Sequence, residues 1–303
     1  KRALKNSLLI RIYSLYGEKL ILGEGPHWDH EAQVLYYVDI NECAVFKYVP
    51  KKKLRVGFVI PVAGTKDKFV IGYGKNLAVL TWDGISTAPD RIEILVDVDT
   101  GTENRFNDGK ADPRGRLWAG TMIDDYKPGD PESRNGTLYS LNEHEKSVKA
   151  HVTDIGISNG LAWSADNKTF YYVDTFNKAI DAFDYDIDSG ELSEYLVICV
   201  KHSYYCACLL SDGMAIDIED KLWLATFGGS AIHRIDPKTG SLLQSIKLPA
   251  SKITSAAWGG PNLDELYVTS CSLPGTEGDR YPGRLFKITG LGTSGLPGVP
   301  VKL

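Results

Sequence analysis

No apolar run in the chain approaches the roughly 20 residues needed to cross a bilayer, so a helical membrane span is excluded and no membrane partner is expected. The N-terminal stretch KRALKNSLLIRIYSLYG has the basic start of a secretory leader, but Arg11 interrupts its apolar part and no small-residue cleavage site follows. Residues 1–20 are therefore read as an extension or a closing strand, and the expected compartment is the cytoplasm. Basic blocks are missing as well. With 34 Lys and Arg against 39 Asp and Glu, nothing in the chain would neutralise a row of phosphates, which excludes nucleic acid as a partner. Cysteine is sparse: Cys43, Cys199, Cys206, Cys208 and Cys271 are odd in number and scattered, which excludes a disulfide scaffold. The Cys206/Cys208 pair has no second Cys/His pair at zinc-site spacing. There is no Gly-x-Ser-x-Gly elbow, which argues against a serine hydrolase, and no EF-hand loop. No Pro/Gly-rich linker divides the chain, so a single domain over residues 1–303 is expected.

What the chain does contain is one pattern six times over. A polar turn precedes a short strand rich in Leu, Tyr, Trp and Val, starting at Leu35, Leu77, Leu117, Phe170, Leu222 and Leu266. The spacing of about 40 to 50 residues is the content of one four-stranded propeller blade. Turn residues at DPRGR from Asp112, SADNK from Ser164, EDK from Glu219 and GPNLDE from Gly260 suit hairpins between the two inner strands of a blade. The expectation is an all-β, six-bladed β-propeller with a central metal site. Either LLIRIYSL near the N-terminus or RLFKITGL from Arg284 would supply a strand for closure.

Polar residues precede these strands at a near-constant distance. Ten or eleven positions upstream lie Glu24, Asn107, Asn159 and Asp212, with Asp67 and Ser255 at the same offset in the second and sixth repeats. Equivalent positions of a propeller converge on its axis. Several carboxylates and carboxamides gathered there are costly without a compensating cation. The donors are all oxygens, which favours a hard divalent ion. Ca²⁺ is the first choice, with Zn²⁺, Mn²⁺ and Mg²⁺ as alternatives. Taken singly, each Asn-Gly or Asp-Gly is also an ordinary turn signal. None of the six histidines shares the offset, although His27 lies three residues after Glu24.

The segments GEGPHWD (Gly23–Asp29), NRFNDGKADPRGRLWAGTM (Asn104–Met122), ISNGLAWS (Ile157–Ser164), DAFDYD (Asp181–Asp186), SDGMAID (Ser211–Asp217) and FKITGLG (Phe286–Gly292) resemble the senescence-marker-protein, regucalcin and gluconolactonase family. The segment from Ser255 to Ser270 is most similar to insect members, the branch that includes the firefly luciferin-regenerating enzyme. The resemblance implies Glu24, Asn159 and Asp212 as metal ligands, Arg105, Asn107 and Asp125 as substrate-binding residues, and Asp212 also as the general base. Two segments depart from the family pattern, the stretch between Phe46 and Pro61 and the CACLLSDGM run from Cys206, so the loops at 47–60 and 199–211 depart where a pocket lid is expected.

The activity implied is metal-dependent hydrolysis of a sugar-acid lactone, with a small-molecule lactone as partner and a monomer or weak dimer as the assembly. A calcium-binding regulator without turnover and a hydrolase of an aromatic nitrile are the competing readings. Arg105, with five donors, and Asn107, with donor and acceptor, suit a polyhydroxylated ring.

Overall fold

A computed structural model describes residues 54–86, 89–124, 134–142, 146–198 and 210–303 in full, and the backbone of the strands within 23–48. The chain divides into two compact units, Lys1–Lys53 and Leu54–Leu303. The first holds an antiparallel meander of β1 (Gly23–Asp29), β2 (Val34–Asp39) and β3 (Ala44–Tyr48).

The second unit holds five antiparallel sheets, each wound in chain order. They comprise β4 (Val56–Pro61), β5 (Lys68–Tyr73), β6 (Asn76–Thr81) and β7 (Arg91–Asp97); β8 (Asn104–Ala111), β9 (Leu117–Ile123), β10 (Gly136–Asn142) and β11 (Ser147–Ile155); β12 (Ser158–Trp163), β13 (Thr169–Asp174), β14 (Ile180–Tyr185) and β15 (Leu192–Ile198); β16 (Leu210–Ile216), β17 (Leu222–Phe227), β18 (Ala231–Asp236) and β19 (Ser241–Lys247); and β20 (Ile253–Gly259), β21 (Glu265–Ser270) and β22 (Phe286–Ile288). The first strands pack side by side in the order β4, β8, β12, β16, β20. This is an all-β propeller with five blades. The expectation of six is corrected, because the repeat at Leu35 counts a sheet that belongs to the other compact unit.

Burial explains why these segments form strands. All six residues of the inner strand β12 are buried, whereas the outer strand β15 is mostly exposed. Sheets stacked face to face bury apolar side chains in layers between neighbours. Phe58, Phe106 and Leu117 fill the layer between the β4–β7 and β8–β11 sheets. Trp118, Trp163, Phe170 and Tyr185 fill the next, Tyr171, Met214 and Leu224 the third, and Trp223, Ile253 and Leu266 the fourth. Each fully buried large side chain contributes about 1.5–3 kcal/mol relative to exposure. His151 joins the second layer, stacked 4.2 Å from Trp118 with Nε2 2.8 Å from Ser140 Oγ.

The four polar turns lie, as the sequence suggests, between the first two strands of their sheets. The C-terminal strand β22 is the third strand of the last sheet, pairing with β21. Beyond it, the chain crosses from one side of the body to the other. Gly295 N–H donates to Leu263 O, Val301 N–H to Pro61 O, and Lys302 N–H to Gly115 O, so residues 295–302 tie the β20–β22 sheet to the first two.

The second repeat needs a further correction. Leu77 lies in β6, the third strand of its sheet, whereas the other pattern starts fall in second strands. The second strand there is β5, and counting back from Leu77 placed Asp67 in the bend before it rather than on an inner strand.

Candidate active site

Strand pairing supplies a better ruler than sequence offset. The second strands begin their ladders at Phe69↔Pro61, Leu117↔Ala111, Phe170↔Trp163, Leu222↔Ile216 and Glu265↔Gly259. Four residues before each inner-strand partner lie Gly57, Asn107, Asn159, Asp212 and Ser255.

At this level the inner strands bulge. The ladder skips between Phe106 and Gly109, between Ser158 and Leu161, and between Ser211 and Met214, so two consecutive residues oppose one. A bulge re-aims side chains that a regular ladder would alternate. In β12 and β16 the second bulge residue is glycine for a steric reason. A Cβ on Gly160 would come 2.5 Å from Met214 Cβ, and one on Gly213 would come 2.1 Å from Ser255 Oγ. In β8 that slot holds Asp108. Gly57 is bare because a Cβ there would sit 2.5 Å from Phe106 O and 2.6 Å from Asn107 O.

Three expected site residues form one hydrogen-bonded chain. Arg105 Nη1 donates to Asn107 Oδ1 at 2.8 Å, and Asn107 Nδ2 donates to Ser158 O at 2.8 Å and to Asn159 Oδ1 at 3.1 Å. Asn159 Nδ2 donates to Thr175 Oγ1 at 2.7 Å, and Thr175 Oγ1 donates to Ser211 O, also at 2.7 Å, next to Asp212. Thr175 opens a short 3-10 turn, Thr175–Asn177, after β13. Arg105 is fixed from its other side by Asp124, 3.1 Å from Nε to Oδ1, and Arg55 pairs with that carboxylate too. Burial draws the Arg105 guanidinium below its ordinary pKa, a shift that Asp124 opposes.

Asp212 has one hydrogen bond among the described residues, from Gly213 N–H at 3.0 Å. Burial pushes its carboxyl well above the usual range, and Asp108 pushes it further. Asp108 is raised by the same desolvation, although Lys110 opposes the shift. Lys110 spans the inner strands, its Nζ donating to Leu161 O at 2.7 Å and to Met214 O at 2.8 Å. Desolvation draws its pKa down while Asp108 holds it up.

Among the described residues no three His, Cys, Asp or Glu side chains group as a metal site, so the expected central metal site is not seen. The donors present nevertheless suit a hard cation. Asp212 is desolvated and raised by Asp108 with no opposing charge beside it among the described residues, and the Asn159 carboxamide oxygen lies on the adjacent inner strand at the same level. Glu24 lies on β1, paired with Val38, in the other compact unit. Asp125 and most of the loop at 199–211 lie outside the described residues, as do 49–53 of the loop at 47–60.

Asp108, Lys110, Asp124 and Thr175 were missed by the sequence reading. Asp108 was hidden inside Asn-Asp-Gly, where it passes for a turn residue. Aligned by pairing it takes the slot of Gly160 and Gly213, and a carboxylate in a glycine slot is the signal.

Residues 22–272 match the family model described as the SMP-30/Gluconolactonase/LRE-like region. The chain belongs to this family. Regucalcin from Bos taurus is 38% identical over 303 residues, covering 96% of this chain and 98% of its own. Regucalcin from Homo sapiens is also 38% identical, over 299 residues, with 95% and 97% covered. Among solved structures, a luciferin-regenerating enzyme is 42% identical at a TM-score of 0.75, covering 94% of this chain and 96% of its own. A regucalcin from Agrobacterium tumefaciens, described as a calcium-binding protein, matches the fold with a TM-score of 0.69 at 22% identity, with 93% and 94% covered. The SMP-30/gluconolactonase membership thus extends over the bulged inner strands that carry Asn107, Asn159 and Asp212. Among the described residues no helix is long and apolar enough to cross a membrane.

Proposed function

We propose that the protein hydrolyses sugar-acid lactones with the help of one divalent cation, Ca²⁺ by preference. The observation that carries this reading is the desolvated Asp212–Asp108 pair set beside Asn159 and the Arg105–Asn107 chain. Asn159 and Asp212 would hold the ion, and the part given to Glu24 rests on its sequence motif alone. A bound cation supplies Lewis-acid polarisation of the carbonyl and acidifies water.

The chain's own residues do the rest. Asp212, its carboxyl pushed well above the usual range by burial, takes the proton as water oxygen bonds to the lactone carbonyl carbon. The acyl carbon–ring oxygen bond then breaks, and the same proton passes to the departing alkoxide. Arg105 Nη2 and the second lone pair of Asn107 Oδ1 are the polar groups left to hold substrate hydroxyls, since both Asn107 amide hydrogens are committed to Ser158 and Asn159. Asp125 is assigned to substrate by the family resemblance only. The substrate reaches the site as a free small molecule, in a cytoplasmic monomer or weak dimer.

A second reading has one observation in its favour, the 42% identity to a luciferin-regenerating enzyme. It makes the substrate an aromatic nitrile. A panel of gluconolactone, simple esters and 2-cyano-6-hydroxybenzothiazole, run with Ca²⁺, Mn²⁺, Mg²⁺ or Zn²⁺ against a chelated control, separates the readings. Metal-dependent opening of the lactone is expected. No hydrolysis of any lactone above the chelated control overturns the enzyme claim in favour of calcium binding without turnover.

A further inference from the structure

Three residues beyond the bulges, the same inner strands turn apolar and enclose a cavity of about 800 Å³. We propose that this cavity is a second binding site, for a small uncharged aromatic molecule carrying one hydrogen-bond acceptor. Its volume is within the range of small-molecule pockets, which are largely apolar with a few placed polar groups.

The walls give the chemistry. Trp163 and Trp258 contribute aromatic surface, and Ala162, Ala215 and Ala257 line the cavity with small side chains. Pro297 and Pro300, on the C-terminal segment that ties the first and last sheets together, line another part of it. Proline has a fixed φ and no N–H, so this wall is stiff and offers no donor at those positions.

Lys110 is the only charged residue among the described residues lining the cavity. Two of its three N–H groups are spent on Leu161 O and Met214 O, and the third has no partner among the described residues. That third N–H selects an acceptor. The ammonium charge is already opposed by Asp108, with Asp212 beyond it, so an anion gains little and a neutral carbonyl is the fitting group. This site is separate from the bulge level and does not depend on the lactonase reading.

The probe for the test is 6-propionyl-2-dimethylaminonaphthalene, an uncharged naphthyl ketone whose emission reports an apolar surrounding. It is titrated into the full chain while energy transfer from tryptophan is followed. Saturable binding of one equivalent is expected. Ala257 lines the cavity and its side chain is exposed, so Ala257→Trp fills space without displacing core and should weaken binding at least about tenfold. That variant should keep any lactone hydrolysis shown by wild type. The donor is tested by 2-dimethylaminonaphthalene, which lacks the carbonyl. Wild type should hold the ketone at least about threefold tighter, and Lys110→Met should erase the preference. If Lys110→Met fails to fold, the two probes on wild type still decide the acceptor. Non-saturable binding, equal binding by Ala257→Trp, or equal affinity for the two probes would overturn the proposal.

Discussion

Asp217 and Asp212 lie on or just beyond one strand and have opposite surroundings. Asp217 is fully buried yet accepts from the Glu219 and Lys221 amides, both at 2.9 Å, from Trp223 Nε1 at 3.0 Å and from Arg234 Nε at 2.8 Å. Asp112 repeats the arrangement two sheets away, with the Arg114 and Arg116 amides, the Arg116 guanidinium and the Tyr185 hydroxyl. Asp212 and Asp108 each have a single backbone N–H, from the glycine that follows. Buried carboxylates are tolerated when their lone pairs are filled and opposite charge is near. The turn pair meets that condition; among the described residues Asp108 has Lys110 opposing it but one hydrogen bond, and Asp212 has one hydrogen bond and no opposing charge. The difference separates a residue that locks a hairpin from one that, in the function proposed above, takes a cation or a proton.

Breaking the satisfied member should have the largest effect on stability. Asp217→Ala strands the Trp223 indole N–H and two turn amides and leaves Arg234 with Glu219 alone, and should cost about 3–5 kcal/mol, or on the order of 10 °C in Tm. Activity per folded molecule should hold. A thermal melt with a specific-activity assay checks both.

The unsatisfied member should invert the pattern. Asp212→Ala should lower kcat at least about 100-fold and weaken metal binding, because the base and a ligand go together. Its metal-free Tm should not fall, since a repelled carboxylate is removed. Steady-state kinetics beside calorimetric metal titration reads this out.

The hydrogen-bonded chain sharpens the contrast. Asn107→Ala leaves Asp212 in place but removes one of the two acceptors of Arg105 Nη1 and the donor to Asn159 Oδ1. It should keep metal-dependent turnover and raise KM on the order of tenfold, the signature of a lost binding contact rather than a lost base. A fall in kcat with KM unchanged would move Asn107 into the proton-transfer machinery.

How far this was legible in the sequence depended on which feature carried the signal. The second strands β9, β13 and β17 are buried on both faces and β21 on one, and all read as apolar, aromatic-containing runs, so Leu117, Phe170, Leu222 and Leu266 were found by pattern alone. Leu77 shares that pattern because β6 also packs inside its sheet, which shifted the count and produced Asp67. The register that replaces it with Gly57 needs the β4–β5 pairing. Membership of a sheet in one compact body is not written in a repeat, and hence five blades stand where six were counted. Asn107, Asn159 and Asp212 were legible because each stands a near-constant distance before its second strand. Asp108 and Lys110 were not, because their meaning comes from neighbouring strands.

The smallest effect concerns a group outside both carboxylate pairs. Burial in the layer against Trp118, helped by Lys149, lowers the His151 pKa from 6.5 to about 4. Between those values the unfolded chain binds a proton that the folded chain does not. Stability is therefore full above about pH 6.5 and falls as pH drops toward 4. His151→Gln should flatten this acid limb in denaturant midpoints measured from pH 7 to 4, and an unchanged slope would remove His151 as its source.

The central claim, that the axial carboxylates await a cation, is tested most directly by melting wild type and Asp212→Asn with and without saturating Ca²⁺. Wild type should gain Tm with the ion, since a ligand bound only to the folded state stabilises it. Asp212→Asn should start at or above the metal-free wild-type Tm and show no response. A wild-type Tm that ignores every divalent ion tried, or an Asp212→Asn protein that responds as wild type does, would contradict the account.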